Sequence, residues 1–229
     1  MAGVNPLEKY FRNNSKRQIH KWIHYFDIYD RHLSRFRGKR IVVLEFGVSH
    51  GGSLQMWRHY FGRRARIYGV DIDPRCKNFE GWRTKVFIGD QEDRTFLRSI
   101  AEKIGPIDVL IEDGGHMMGQ QIATFEEMYP KVKENGVFLI EDLHTSYWTN
   151  YGGGYRKPGT FIEYAKALTD QLNAWHSRQP DFAVDDFTRT TRSMHFYDSI
   201  VVFEKGRVEK PRAEKTGKPT IFGGYKRES

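Results

Sequence analysis

The 229-residue sequence has one cysteine, Cys76. That excludes an intrachain disulfide and suits a reducing compartment. No apolar run approaches the roughly 18 residues that a membrane-spanning helix needs. The opening residues, MAGVNPLEKYFRNNSKRQ, lack the apolar stretch of a signal peptide, so a cytoplasmic location is expected. The dinucleotide fingerprint G-x-G-x-x-G is missing, and no glycine-rich loop runs into Lys-Ser/Thr, so a pyrophosphate ligand is disfavoured. No RNA-binding module signature is present, and no internal repeat beyond one echoed tripeptide.

That echo is the most informative feature present. "VLIEDGGH" (109–116) and "VFLIEDLH" (137–144) each run an apolar segment into Ile-Glu-Asp with a histidine close behind. A buried, unpaired carboxylate costs several kcal/mol or is driven to neutralise, so paired acids at two strand ends imply a cation or a chemical task. The net charge of +8 gathers in residues 1–40 and 205–229, while the middle is mildly acidic. The acidic strand ends would repel phosphates, which disfavours nucleic acid as a partner.

The length fits one sizeable core with decorations. Short apolar runs alternate with longer mixed segments, the pattern of βαβ units. "RIVVLEFGV" (40–48), "RIYGVDI" (66–72), "KVFIGD" (85–90), "DVLIED" (108–113) and "GVFLIED" (136–142) read as strands. "SLQMWRHYF", "DRTFLRSIAEKIG" and "GQQIATFEEMYPKVKENG" read as the helices between them, the last stopping at Asn135-Gly136. A long helix is expected around 160–177. "TTRSMHFYDSIVVFEKG" then offers two strands too close together for a helical crossover, so an antiparallel pair is expected there. The predicted fold is α/β: a doubly wound, mostly parallel sheet with an antiparallel C-terminal strand. An N-terminal helical cap (1–38) precedes the main domain (39–205), and a basic, flexible tail (206–229) follows it.

Open α/β sheets bind ligands at the carboxyl ends of their strands, near the point where strand order reverses. Gly47, Gly51 and Gly52 follow the first strand, where glycine permits a tight turn and a close approach. Asp71 ends the second strand, placed either to accept ribose hydroxyls or to cap a helix, with Asp73 before Pro74 competing for the cap. Asp90, at the third strand end, can reach an adenine edge or cap the next helix.

The series Glu-x-Gly-x-x-x-Gly-Gly, "GVDIDP", "GDQED" and "IEDGGH" resembles the motifs of class I S-adenosylmethionine-dependent methyltransferases. The pairing of "DGGH" with "IEDLHTSYW" resembles the metal-dependent O-methyltransferases that act on macrolide sugars. The resemblance runs from about Arg40 to about Lys205. It implies a Rossmann-like methyltransferase domain in which Glu45, Gly47, Gly51 and Gly52 line the methionine part of the cofactor, Asp71 the ribose, and Asp90 with Gln91 the adenine side. Ser49, Ser53 and Asp113 join the cofactor-lining set. It further implies that Asp113, Glu141 and Asp142 bind a divalent cation and that His116 is the general base.

The residues agree with that chemistry. Three carboxylates without nearby cysteine favour Mg²⁺, with Mn²⁺ as the alternative. Neighbouring strand residues face opposite sides, so Glu141 and Asp142 can share one ion only if the strand has already turned into loop, and Glu112 faces away from Asp113. Chelation lowers the pKa of a hydroxyl, and a base within a turn of the ion can take its proton. His144 is the rival base and His50 a more distant one. In "HTSYWTNYGGGYRKPGT" (144–160), Tyr147, Trp148, Tyr151 and Tyr155 can pack on a sugar face or form an oligomer contact, with Gly152 to Gly154 as hinges. The expected activity is Mg²⁺-dependent O-methylation of a hydroxyl on a glycosylated small molecule or glycan. The rivals are a catechol-like acceptor, or a basic RNA-binding or RNA-modifying protein on the same fold.

Overall fold

The computed structural model describes residues 5–220. Seven strands form one sheet: β1 (Val42–Phe46), β2 (Arg66–Asp71), β3 (Thr84–Ile88), β4 (Ile107–Glu112), β5 (Val132–Ile140), β6 (Thr191–Tyr197) and β7 (Ile200–Lys205). Their spatial order is β3-β2-β1-β4-β5-β7-β6. The first five are parallel, and β7 runs antiparallel to both β5 and β6. The β6-β7 hairpin turns through Asp198-Ser199, with Ser199 at φ 62°. The sheet is thus the doubly wound one read from the sequence, and its order reverses between β1 and β4.

Strand side chains alternate between faces, and the two resulting cores are distinct. Val43, Ile67, Val109, Ile111, Val137 and Leu139 pack on one face against Leu7, Tyr25, Phe26, Tyr29 and Trp57. These last come from α1 (Pro6–Arg12), α2 (Tyr25–Leu33) and α3 (Gly52–Phe61). Val42, Leu44, Phe46, Leu110, Phe138 and Ile140 pack on the opposite face against Leu97, Ile100, Phe125, Met128 and Phe161. The helices there are α4 (Arg94–Ile104), α5 (Met118–Met128) and α6 (Phe161–Leu172), and the short α7 (Asp186–Thr190) leads into β6. Residues 5–38 therefore supply much of one layer of the core, with Tyr25, Phe26 and Tyr29 fully buried.

The helix expected to run to Asn135-Gly136 ends earlier. α5 stops at Met128, a 3₁₀ turn spans Tyr129–Lys131, and β5 has begun by Val132. Pro130 explains the stop, since it lacks the N–H of a helix interior and its ring clashes with the preceding turn. Asn135, at φ 66°, sits inside the strand, close to where its pairing with β4 shifts register. The helix expected over 160–177 ends at Leu172 and gives way to a 3₁₀ turn at Ala174–His176. Residues 209–220 are largely exposed and carry no regular structure; the rest of the expected basic tail, 221–229, lies outside the described residues.

Candidate active site

The loop after β1 is fixed by close backbone contacts. Gly47, at φ 85°, sits where a Cβ would lie 1.8 Å from the Asp113 carbonyl oxygen, so only glycine lets the β1 and β4 loops touch. Gly51 begins α3 in the left-handed region at φ 73°, and Gly52 is pressed on the Gln18 carbonyl, 2.1 Å from where its Cβ would be. Gly47→Ala is expected to destabilise the fold by about 2–4 kcal/mol through overpacking and a strained φ, a loss that urea denaturation would measure.

Asp71 braces this loop. Its Oδ2 accepts from the Val48 and Ser49 amides, both at 2.9 Å, and its Oδ1 accepts from the Asp73 amide. Asp73, not Asp71, caps the following 3₁₀ helix. Asp93, not Asp90, caps α4, while Asp90 Oδ1 accepts from the Glu92 amide. Gln91 is occupied within the protein: its Nε2 donates to Glu112 Oε1 at 2.7 Å and its Oε1 accepts from the Gly115 amide. Its side chain holds the β4 loop in shape beside the cavity.

Strand parity decides where the acids point. Glu45 follows Val43, Asp113 follows Val109 and Ile111, and Glu141 follows Val137 and Leu139, so all three face the layer built by the N-terminal helices. Glu45 is fully buried under the cavity rather than lining it. Its oxygens accept from Ser53 Oγ and Trp57 Nε1, each at 2.7 Å, which places Ser53 and Trp57 one helical turn apart on α3. Burial pushes the Glu45 carboxyl up to about 7, although Lys21, Ser53 and Trp57 oppose the shift.

Lys21, in the segment between α1 and α2, was not foreseen as a site residue. Its ammonium donates to Asp113 Oδ2 and, at 2.7 Å, to Glu141 Oε2. Burial alone would lower its pKa, but Asp113, Glu141 and Glu45 outweigh that and hold it above the ordinary value. Burial and the Asp113 charge raise the Glu141 carboxyl, and Glu112, buried on the other face, is raised mainly by desolvation.

Asp142 departs from strand parity because β5 has ended. Its backbone is left-handed, at φ 55°, a conformation Asp tolerates better than most residues. The turn swings its carboxylate back to the face of Asp113. Tyr25 Oη donates to Asp142 Oδ1 at 2.7 Å, leaving Oδ2 at 3.4 Å from His116 Nε2, which is itself 4.0 Å from Asp113 Oδ1. Asp113, His116 and Asp142 thus each offer one donor atom, all within 4.8 Å of one another. The two carboxylate oxygens of this group are donors of the kind a hard divalent cation takes, with the His116 imidazole beside them. Glu141 is outside that close group, with its Oε2 held by the Lys21 ammonium. His116 Nδ1 is buried without a partner, and Nε2 is the nitrogen that faces the two carboxylates.

These groups surround a cavity of about 540 Å³ lined by Gln18 to Lys21, the β1 loop from Gly47 to His50, Asp71, Asp90, Gln91, Asp113, His116 and Asp142. That size suits a small-molecule cofactor and acceptor, and the glycine contacts at 47 and 52 shape the walls around them. His144 does not line the cavity. Its Nδ1 is 3.1 Å from Ser199 Oγ, and its ring is edge-on to Trp22 and Trp148. Trp22, Tyr147 and Trp148 are each about half exposed beside it, and Tyr151 lies 6.5 Å from His116 ring to ring. Of the glycines in this loop, Gly153 is fitted closely: a Cβ there would meet the Thr145 and Ser146 carbonyls at 2.5 and 2.6 Å.

Comparison with known proteins agrees with this geometry. Residues 44–143 match a methyltransferase-domain family. The chain is 36% identical over 198 residues to the 8-demethyl-8-alpha-L-rhamnosyl tetracenomycin-C 2'-O-methyltransferase of Streptomyces olivaceus, covering 81% of this chain and 51% of that protein. It is 35% identical over 202 residues to the mycinamicin VI 2''-O-methyltransferase of Micromonospora griseorubida, covering 81% and 49%. The solved structure of MycE methyltransferase in complex with Mg, SAH and mycinamycin VI superposes with a TM-score of 0.79 at 30% identity, over 95% of this chain and 57% of that one. The chain spans about half the length of the curated relatives it matches. Sheet order, cavity and family match together define a class I S-adenosylmethionine-dependent methyltransferase domain. Within that class, the chain is related to the macrolide and deoxysugar O-methyltransferases.

Proposed function

We propose that the protein transfers a methyl group from S-adenosylmethionine to a sugar hydroxyl of a glycosylated small molecule, in a reaction that needs Mg²⁺ or a similar cation. The observation that carries this reading is the convergence of His116, Asp113 and Asp142 at the wall of a cavity whose other wall is the Gly47–Gly52 loop and Asp71. Asp71 would hold the cofactor ribose, the β1 loop would lie along its methionine part, and Asp113 and Asp142 would hold the ion, with Glu141 behind them. When bound, S-adenosylmethionine supplies the electrophilic methyl and a divalent cation acidifies the acceptor hydroxyl. His116 Nε2 would take that hydroxyl's proton as its oxygen receives the methyl group, the carbon–sulfur bond electrons staying on sulfur. Trp22, Tyr147, Trp148 and Tyr151 offer apolar ring faces that suit the axial C–H face of a sugar. No helix among the described residues is long and apolar enough to cross a membrane, which is compatible with an acceptor taken from water.

Incubating the protein with S-adenosylmethionine, Mg²⁺ and a panel of rhamnosylated and deoxyhexosylated compounds, followed by mass spectrometry, tests this directly. A mass gain of one methylene on the sugar fragment is expected, and methylation confined to catechols or to RNA would replace this reading. Asp71→Ala is expected to weaken cofactor binding by about 1.5–3 kcal/mol, the worth of hydrogen bonds to a charged group. Calorimetry with the demethylated product would reveal an Asp71 that braces only the loop, because affinity would then change little.

A further inference from the structure

Lys21 has no part in the transfer just described, yet it is the buried cation of the site. Its side chain is 2% exposed and takes one oxygen from Asp113 and one from Glu141. The second oxygen of each acid lies off the ammonium: Asp113 Oδ1 faces His116, and Glu141 Oε1 is buried with the Tyr29 hydroxyl as its neighbour. The formal charges of Asp113, Glu141, Asp142 and Lys21 leave a deficit that one divalent ion balances. Without the ammonium, the same acids would call for a trivalent one.

We propose that Lys21 is a fixed counter-charge of the metal site, a positioning residue that stays on Asp113 and Glu141 when the ion binds and matches the site to a divalent cation. The inference rests on the metal-dependent reading above. Retention, rather than displacement by the ion, follows from how the segment is held. The Arg17 and Gln18 carbonyls are packed against Gly52, the Asn14 amide donates to the Arg17 carbonyl at 2.8 Å, and the Arg17 guanidinium lies 4.6 Å from the Phe79 ring centre. Lys21 itself sits 5.9 Å from the Tyr29 ring centre. Lys21 holds Asp113 Oδ2, whereas Oδ1 is the oxygen nearest His116 and shares that ring with Asp142 Oδ2, so an ion on Oδ1 and Asp142 has no need of the ammonium's place.

Two measurements decide it. Mn²⁺ binding to the full chain is followed by electron paramagnetic resonance, and lysine acylation by an N-hydroxysuccinimide ester is mapped by peptide mass spectrometry with and without Mn²⁺. One Mn²⁺ per chain is expected, with Lys21 protected in both states while exposed Lys39 reacts in both. Acylation of Lys21 on loading would show that the ammonium is only a placeholder and overturn the proposal. In Lys21→Met, the affinity ratio of Tb³⁺ to Mn²⁺ should rise by about tenfold or more, because one positive charge is lost within a few ångströms of the ion. A ratio unchanged within about twofold would also overturn it, and a variant that fails to fold leaves the acylation result on the unaltered protein to decide. Failure of that protein to bind Mn²⁺ removes the metal reading together with this inference, whereas binding with a reactive Lys21 removes the inference alone.

Discussion

His116→Ala is expected to lower kcat by roughly 10²–10⁴, the usual worth of a positioned proton acceptor, while leaving cofactor and metal affinity nearly intact. His116 reaches its place through a left-handed backbone at φ 56°, three residues after Asp113 and across two glycines. Its carbonyl accepts from Thr145 Oγ1 at 3.3 Å, which ties the β4 loop to the β5 loop. Removing the imidazole leaves that backbone contact in place, so the loss should fall on the chemical step. His144→Ala is the control: anchored to Ser199 and enclosed by two tryptophans, it should change acceptor binding more than kcat. If His144→Ala instead loses the rate while His116→Ala keeps it, the base lies after β5. If His116→Ala loses Mn²⁺ binding, the imidazole is a ligand and not a base.

EDTA is expected to abolish turnover, with Mg²⁺ restoring it, and Asp142→Asn should raise the Mg²⁺ concentration for half-maximal rate by about 10² or more, since even partners behind a ligand are worth 10–100-fold. This substitution is the cleanest probe of the metal reading. Asparagine tolerates the left-handed backbone as aspartate does and can still accept from Tyr25 Oη, so what changes is charge. Asp113→Asn would also remove a buried partner of Lys21 and mix a stability loss into the result. Full activity in EDTA would sink the metal assignment, and a normal Mg²⁺ requirement in Asp142→Asn would move the ligand set elsewhere.

The strands and the acids at their ends were legible because period-two alternation and burial act over a few residues. Parity alone separated Asp113 from Glu112, which the structure places on opposite faces of β4. It raised the right question about Glu141 and Asp142 but could not supply the left-handed turn that answers it. The end of α5 was misread because Asn-Gly is a common stop, whereas Pro130, an earlier breaker, governs. Lys21 was missed for a different reason: its partners lie 92 and 120 residues away in sequence, beyond any local pattern. One signal existed. Lys21 continues the spacing of the buried stripe Tyr25, Ile28, Tyr29 and His32, and a lysine on an apolar stripe asks for a buried acid.

The docking of the N-terminal layer also sets a timetable for synthesis. At about 5–20 residues per second, the ribosome has released Lys21 and the aromatic side of α2 for several seconds or more before Glu141 emerges. Until β1 to β4 have followed and paired, Tyr25, Phe26 and Tyr29 have no complete sheet to cover, so the nascent chain offers an apolar, cationic segment suited to capture by chaperones. Closure of the last acid on Lys21 is then an event of late folding, and a chain stalled before β5 would hold its catalytic loops without the charge balance that shapes them.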